Sequence, residues 1–457
     1  MLDKIKQILE KLKNPHIVNL VGNAIMSVLN MVQVAILFNY LPKDKMGVWF
    51  FFQGTIGLVD TFRAGLITTA FITSYAGTSK DRSAEVAGSA WFLSSLVTLV
   101  FIAVNLIYLA IPYHVPDLGT DLVITWFGLV FVITLPSFIA SCVAQAEARF
   151  DRLLIIRSVS TSLSITLVLT LIITKNINLM NVIYTGFTAG GVTSLMTIVL
   201  GWSRINTFWK KSTQTVKALF AFGKYSVGTS LGSSMFRNSD NYIIKIMLGA
   251  KGDAAIAVYN LGLRLTELIE IPLRSFAATI MPPLSAAHNQ NNKYHVIYLI
   301  KKYSGLLTIL MIPVVAGSLL FAEVGIWIVD KEYLTTEAAN ILRIFMSFAL
   351  LYPIERFMAL ALDATNQPQV NAVKLVFMLA ANIIGDIVGI WLFGNVYGVA
   401  FGTLLPILTG MFISYKWLQR YEKFQMWDVY KIGWLETTWI VKDTWSMLFK
   451  KKEAKAE

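Results

Sequence analysis

Four charged residues, Arg264, Glu267, Glu270 and Arg274, recur at helical spacing inside a hydrophobic stretch long enough to cross a bilayer. At 100° per residue they share, with Asn260, an arc of about 120°. A charge at the bilayer centre costs roughly 2.5 to 3.5 kcal/mol on insertion scales, so this stripe must face a polar cavity and not lipid. Its chemistry is that of binding: guanidinium forks match phosphate oxygens, and carboxylates brace guanidinium groups or carry a cation. Asp60 and Arg63 stand near the middle of a second apolar stretch, and Arg237, Asp240 and Asn241 near the middle of a third. Acid and base three or four residues apart on a helix can also neutralise each other, so a structural bridge and a cavity lining both stay open for each pair.

The elements that must hold these residues follow from composition. Charged residues make up 14% and hydrophobic residues 56% of the 457-residue chain, against about 25% charged in soluble proteins. Twelve mainly apolar runs match the roughly 20 residues of a spanning helix: 17–41, 46–75, 87–111, 123–146, 155–174, 182–203, 223–248, 254–282, 303–329, 338–362, 370–393 and 397–418. The basic segment before the first run resembles a signal peptide, but the run is long and ends at Leu41-Pro42 without a small-residue cleavage site, so it is expected to remain as a helix.

The net charge of +12 could suggest nucleic acid, but the distribution of Lys and Arg suggests topology instead. With the N-terminus in the cytoplasm, 27 of the 39 basic residues fall in inside segments, Lys374 among them, and five outside: Lys43, Lys45, Lys175, Lys251 and Lys331. That is the positive-inside pattern for an even number of crossings with both ends cytoplasmic.

Cys142 is the only cysteine, and the four histidines match no ligand spacing, so neither a disulfide framework nor a thiolate metal site is expected. No phosphate-binding loop, dinucleotide fingerprint, HExxH or nucleophile elbow is present. His288 and His295 share a polar loop that reads as a solvated turn.

The two halves of the chain are alike. At an offset of 207, Asn19, Asn23, Ser27, Asn30 and Gln33 fall on Ser226, Ser230, Ser234, Arg237 and Asp240. At an offset of 210, Trp49, Leu58, Val59 and Asp60 fall on Tyr259, Leu268, Ile269 and Glu270. Six helices per repeat preserves orientation, which implies two bundles related by an axis along the membrane normal, with polar groups from the second, seventh and eighth spans at the midplane. The expected organisation is an all-α membrane protein: a cytoplasmic amphipathic N-terminus at 1–16, bundles at 17–203 and 223–418 joined by a linker at 204–222, and a tail at 419–457. In the tail, Phe424, Trp427, Tyr430, Trp434, Val441, Trp445 and Leu448 recur at helical spacing among charges, which reads as a helix on the cytoplasmic surface.

The stretch from Gly47 through Asp60 and Arg63 to Leu66 resembles the second-helix signature of the Wzx-like polysaccharide (O-antigen) flippases of the multidrug/oligosaccharidyl-lipid/polysaccharide (MOP) superfamily. Phe222-Gly-Lys-Tyr-Ser, Arg237-Asn-Ser-Asp240-Asn-Tyr and Val258-Tyr-Asn-Leu-Gly-Leu-Arg264 are similar to the entry into that family's carboxy-terminal bundle. The resemblance covers roughly residues 15 to 420. It implies a non-enzymatic, V-shaped MATE-like exporter in the bacterial inner membrane, moving a polyprenyl-diphosphate-linked oligosaccharide to the outer leaflet by alternating access. It further implies coupling to H+ or Na+ with no other cofactor, and other polysaccharide-assembly membrane proteins as partners. Arg63, Arg237, Arg264 and Arg274 would then contact the headgroup, Asn30, Asn241 and Asn260 the sugars, and Asp60, Asp240, Glu267 and Glu270 would brace the arginines or carry the cation. A cation-coupled drug exporter is the alternative transporter. A glycan polymerase or glycosyltransferase fits less well, because the longest outside loop, 112–122, is only 11 residues long.

Overall fold

The computed structural model describes residues 15–112 and 115–453. Side chains at 15–21, 23–24, 268–272, 274–275, 278, 440–441 and 443–453 lie outside the described residues. So do Glu270, Arg274, the polar-stripe residues Asn19 and Asn23, Trp445 and Leu448 of the tail, and residues 1–14 of the expected amphipathic N-terminus.

The described chain is helical. Its α-helices are α1 (Pro15–Tyr40), α2 (Lys43–Tyr75), α3 (Lys80–Ala110), α4 (Leu118–Ala146), α5 (Phe150–Ile173), α6 (Leu179–Val199), α7 (Thr213–Leu248), α8 (Gly252–Asn289), α9 (Lys293–Leu320), α10 (Ala322–Val329), α11 (Ala338–Ala349), α12 (Tyr352–Ala364), α13 (Pro368–Phe393), α14 (Val396–Gly402), α15 (Leu404–Tyr421) and α16 (Asp428–Glu453). Pro42 stands just ahead of α2, where a missing amide hydrogen costs nothing. The Asp117 and Asn178 side chains accept from the Thr120 and Asn181 amides and so start α4 and α6. Gly394, at φ +68°, ends α13 in the left-handed conformation.

Each of the twelve expected runs is occupied by helix; 303–329, 338–362 and 397–418 are each divided between two helices. Among the described residues, eight helices are long and apolar enough to cross a membrane, and the pair α11 and α12, bent by 50°, makes a ninth candidate. The count of twelve is therefore reached only if α1, α7 and α8 also cross. The last two carry the charged stripes, and those charges lower their hydropathy. Large apolar side chains point outward from the spans, including Leu99, Ile107, Val199 and Trp391, as expected where lipid and not water is the solvent.

The chain divides into two compact units: residues up to Lys245 with Ala250–Ala257, and Ile246–Gly249 with Val258–Glu457. The division lies further along the chain than the boundary at 223 that the span pattern suggests. The reason is local, since α7 packs on α2 through glycines. A Cβ at Gly223 would lie 1.9 Å from the Leu66 carbonyl oxygen, and one at Gly65 would lie 3.0 Å from Val227 Cα. In the first unit, Leu66, Ile67 and Phe71 of α2 pack with Val86 and Trp91 of α3 and Leu135 and Ile139 of α4.

In the second unit, Ile280, Leu284, Ile297, Ile300, Phe357 and Leu362 form the core of α8, α9 and α12. The tail helix α16 joins that core along α9. Gly305 and Gly433 meet backbone to backbone, Lys301 holds Asp428 at 3.2 Å and Lys302 holds Glu436 at 2.7 Å. The tail is thus docked on the unit by its acidic side chains, while Trp427, Trp434 and Trp439 remain exposed.

Candidate functional site

The Asp60 and Arg63 pair lies on α2 within the first unit. Arg63 Nη2 and Nε donate to Asp60 Oδ1 at 2.6 and 3.1 Å, as spacing of three residues on a helix allows. The rest of the guanidinium is enclosed by α4. It donates to the Phe131 carbonyl and the Thr134 hydroxyl at 3.4 Å each, and its central carbon lies 4.8 and 4.2 Å from the ring centroids of Phe131 and Phe138. Arg63 is 2% exposed, whereas the Asp60 side chain is 45% exposed. Arg63, expected to contact a headgroup, is enclosed in this structure. Its planar cation is sandwiched between aromatic faces, a stabilising geometry, and the member of the pair that reaches the surface of the unit is the acid.

On α7 the arrangement is reversed. Arg237 is exposed, and among the described residues no carboxylate lies within 4 Å of it. Asp240 is half-buried and accepts from the Ser239 hydroxyl at 3.4 Å. The neutralising pair suggested by their spacing is not formed. Asn241 is buried against Gly54 of α2, where Tyr242 donates to the Thr55 hydroxyl at 3.2 Å and Thr61 to the Ser234 hydroxyl at 3.3 Å. The structure thus brings the polar residues of the second and seventh runs together, and Asn241 packs inside the unit instead of standing open to a sugar.

Asn30 of α1 lies elsewhere in the first unit, on a polar cavity shared with Arg157 of α5 and with Thr134 and Ser137 of α4.

The second unit holds the stripe on α8. Arg264 Nη1 spans both carboxylate oxygens of Glu267, at 2.8 and 3.1 Å. Both side chains remain open, 42% and 44% exposed. Asn260, one turn earlier, is 2% exposed, so it belongs to the interior of the unit and not to an open wall.

Three further charge clusters, around Lys374, Asp386 and Lys245, lie within the apolar runs. Lys374, counted among loop charges, is 5% exposed and donates to Glu355 at 2.8 Å and to the Ser414 hydroxyl at 3.4 Å. Asp386 of α13 is fully buried and accepts from the Asn382 amide at 3.3 Å, beside a crossing where Gly389 and Gly398 place the backbones of α13 and α14 in contact. Asn382 and Asp386 stand four residues apart in an apolar run, and an acid within a span is a functional candidate by default.

The third cluster is Lys245 at the end of α7. It holds Asp117 at 2.9 Å and Asp253 at 2.6 Å and lies 4.4 Å from the Phe51 ring centroid. Gly47 lets α2 approach this point, because a Cβ there would meet the Asp253 carbonyl oxygen at 1.6 Å. Burial acts against the ionised Asp117, yet the Lys245 ammonium and the Thr120 donors outweigh it and hold the carboxyl below its ordinary range. A depressed carboxyl contributes stability above its unfolded value that is lost as pH falls through the folded one. Melting of the wild-type protein is therefore expected to change little from about pH 8 to 5 and to fall below about pH 4. Lys245→Met lets the carboxyl return upward, so the acid limb moves to higher pH; superimposable limbs would contradict the clasp.

The inward-facing structure of a multidrug resistance MATE family transporter of the MOP superfamily superposes with a TM-score of 0.69 at 17% identity, covering 86% of this chain and 94% of that one. The lipid II flippase MurJ in its inward closed conformation also gives 0.69 at 17% identity, covering 94% and 93%. The fold is therefore the one shared by these multi-pass helical membrane proteins. The chain belongs to the polysaccharide biosynthesis protein family, whose model matches residues 12–288. The MatE family model matches residues 230–388. A probable low-salt glycan biosynthesis flippase, Agl15, of Haloferax volcanii is 26% identical over 405 residues, covering 86% of this chain and 80% of that protein.

Proposed function

We propose that the protein is a non-catalytic flippase that moves a polyprenyl-diphosphate-linked oligosaccharide from the cytoplasmic to the outer leaflet of the plasma membrane for polysaccharide biosynthesis; in a bacterium this is the inner membrane. The reading is supported by the family match and by the glycan flippase among the relatives. The observation that carries it to particular residues is the Arg264 and Glu267 pair, half exposed inside a helix of membrane-spanning length. A charge kept there at such cost must be used, and a guanidinium has the fork that a diphosphate requires.

Arg237, exposed on α7, is the second headgroup contact, and Arg274 completes the set in this proposal. Arg63 braces Asp60, which with Asp240, Glu267 and Glu270 offers carboxylates to a coupling proton or sodium ion. Alternating access would carry the headgroup from one leaflet to the other. O-antigen is the glycan product suggested by the resemblance.

The test is leaflet transfer of a lipid-linked oligosaccharide by protein reconstituted in vesicles. Loss of one charge-assisted contact costs about 1.5 to 3 kcal/mol, so Arg237→Ala and Arg264→Ala are each expected to slow transfer about 10- to 100-fold. Undiminished transfer in both would overturn the assignment. The MatE match supports the second reading, a drug exporter; transport of cationic dyes without any lipid-linked sugar would select it.

A further inference from the structure

The cavity within the first unit has a volume of about 270 Å³, at the small end of the roughly 300 to 1,000 Å³ used by drug-sized ligands. Its walls differ in hydrogen-bonding character. On α4 and α6, the Thr134, Ser137 and Thr193 hydroxyls donate to carbonyls of their own helices, Val130, Thr134 and Ala189, at 2.8, 2.9 and 2.7 Å. A hydroxyl has one donor and two lone pairs, so this wall offers acceptors. On α5, Arg157, Ser160 and Thr161 line the same space. Hydroxyls within helices commonly back-bond to the preceding turn; among the described residues those of Ser160 and Thr161 do not, which leaves them as donors. Among the described residues that line the cavity there is no carboxylate. Arg157 stands seven residues into α5, about 10 Å from its start at 1.5 Å per residue.

A ligand matching both walls carries a compact anion at one end and hydroxyls that donate at the other. We propose that the cavity binds a glycosyl phosphate, with the phosphate on Arg157, Ser160 and Thr161 and the sugar hydroxyls donating to Thr134, Ser137 and Thr193. The choice of a sugar rests in part on the glycan-transport reading; the two-sided wall is independent of it. The site lies inside the first unit and is assigned to recognition of the sugar next to a phosphate. Gly190 keeps the cavity open: its absent Cβ would sit 3.3 Å from the Thr134 methyl carbon.

The test uses the full chain in lipid nanodiscs, titrated with α-D-glucose 1-phosphate, glucose and inorganic phosphate. Glucose 1-phosphate is expected to bind about tenfold or more tightly than either part, because both walls are then engaged. Arg157→Gln should reduce it to the level of glucose, Arg157→Lys should recover part of the loss, and Gly190→Leu should abolish binding, all with wild-type melting temperatures. Absence of glucose 1-phosphate binding, phosphate binding as tightly as glucose 1-phosphate, or an unaffected Arg157→Gln would each overturn the proposal.

Competition by a farnesyl-phosphate-linked glucose would identify the ligand as a lipid headgroup; binding of glucose 1-phosphate without such competition would identify a soluble sugar phosphate. Leaflet transfer is read separately. Intact transfer by a wild type that binds no glucose 1-phosphate removes this site and leaves the flippase standing, whereas tight binding without transfer removes the flippase and leaves the site.

Discussion

Asp60→Ala is expected to destabilise the protein by about 3 kcal/mol, near the lower end of the range for breaking a buried ion pair by removing one partner. It should cost more than Arg63→Met, although Asp60 is the more exposed of the two. The asymmetry follows from what is left behind. Without Asp60, a guanidinium that is 2% exposed keeps its charge among the Phe131 and Phe138 rings, with one carbonyl and one hydroxyl as its remaining acceptors. Without Arg63, the orphaned carboxylate is already 45% exposed and can be hydrated. The double variant should cost less than the sum of the two, since neither charge is then stranded. Chemical or thermal unfolding in detergent measures all three. If Arg63→Met proved the costlier, the aromatic box and not the ion pair would be the dominant element. The same variants separate structure from transport: Arg63→Met that folds and still transfers substrate would place Arg63 outside the headgroup site, as its enclosure indicates.

Gly398→Val is expected to cost at least about 3 kcal/mol, at or beyond the upper end of ordinary overpacking, and to reduce the yield of folded protein sharply. A Cβ at Gly398 would lie 2.1 Å from the Gly389 carbonyl carbon, and one at Gly389 would lie 2.2 Å from the Gly398 oxygen. Both obstructions are backbone, so no rotamer change relieves them. The crossing also positions Asp386, since a Cβ at the neighbouring Gly402 would meet its Oδ1 at 2.8 Å. Gly228→Ala is the contrasting case. It lies inside α7 with nothing within 4 Å of an added Cβ, and Ala in place of Gly in a helix interior is worth roughly 0.5 to 1 kcal/mol. Thermal melts of the two variants should therefore shift in opposite directions. A tolerated Gly398→Val would show that α13 and α14 do not cross as closely as described.

Much of the architecture could be read directly from residue order. Helices stand at each of the twelve apolar runs, and the Arg264 and Glu267 contact follows from a spacing of three on one helix. The Asp60 and Arg63 contact was equally legible as a pair. Its burial was not, because the rings that enclose Arg63 come from α4, some 70 positions later. Arg237 and Asp240 show the opposite failure: their spacing allows a bridge that is not made, because a helical interval permits contact without enforcing the rotamers it needs.

The chain alone determines that it is a helical membrane protein with costly charges in its spans, because hydrophobic length and charge count are one-dimensional quantities and bilayer thickness is the ruler that reads them. Which charges are enclosed and which are presented was decided only by tertiary packing. Arg63 is hidden and Arg237 open, Lys374 is drawn inward to Glu355, and Lys245 closes on two acids from separate segments. The physical reason is that desolvation and pairing depend on neighbours brought across tens or hundreds of residues, at positions where a missing glycine side chain lets two backbones meet.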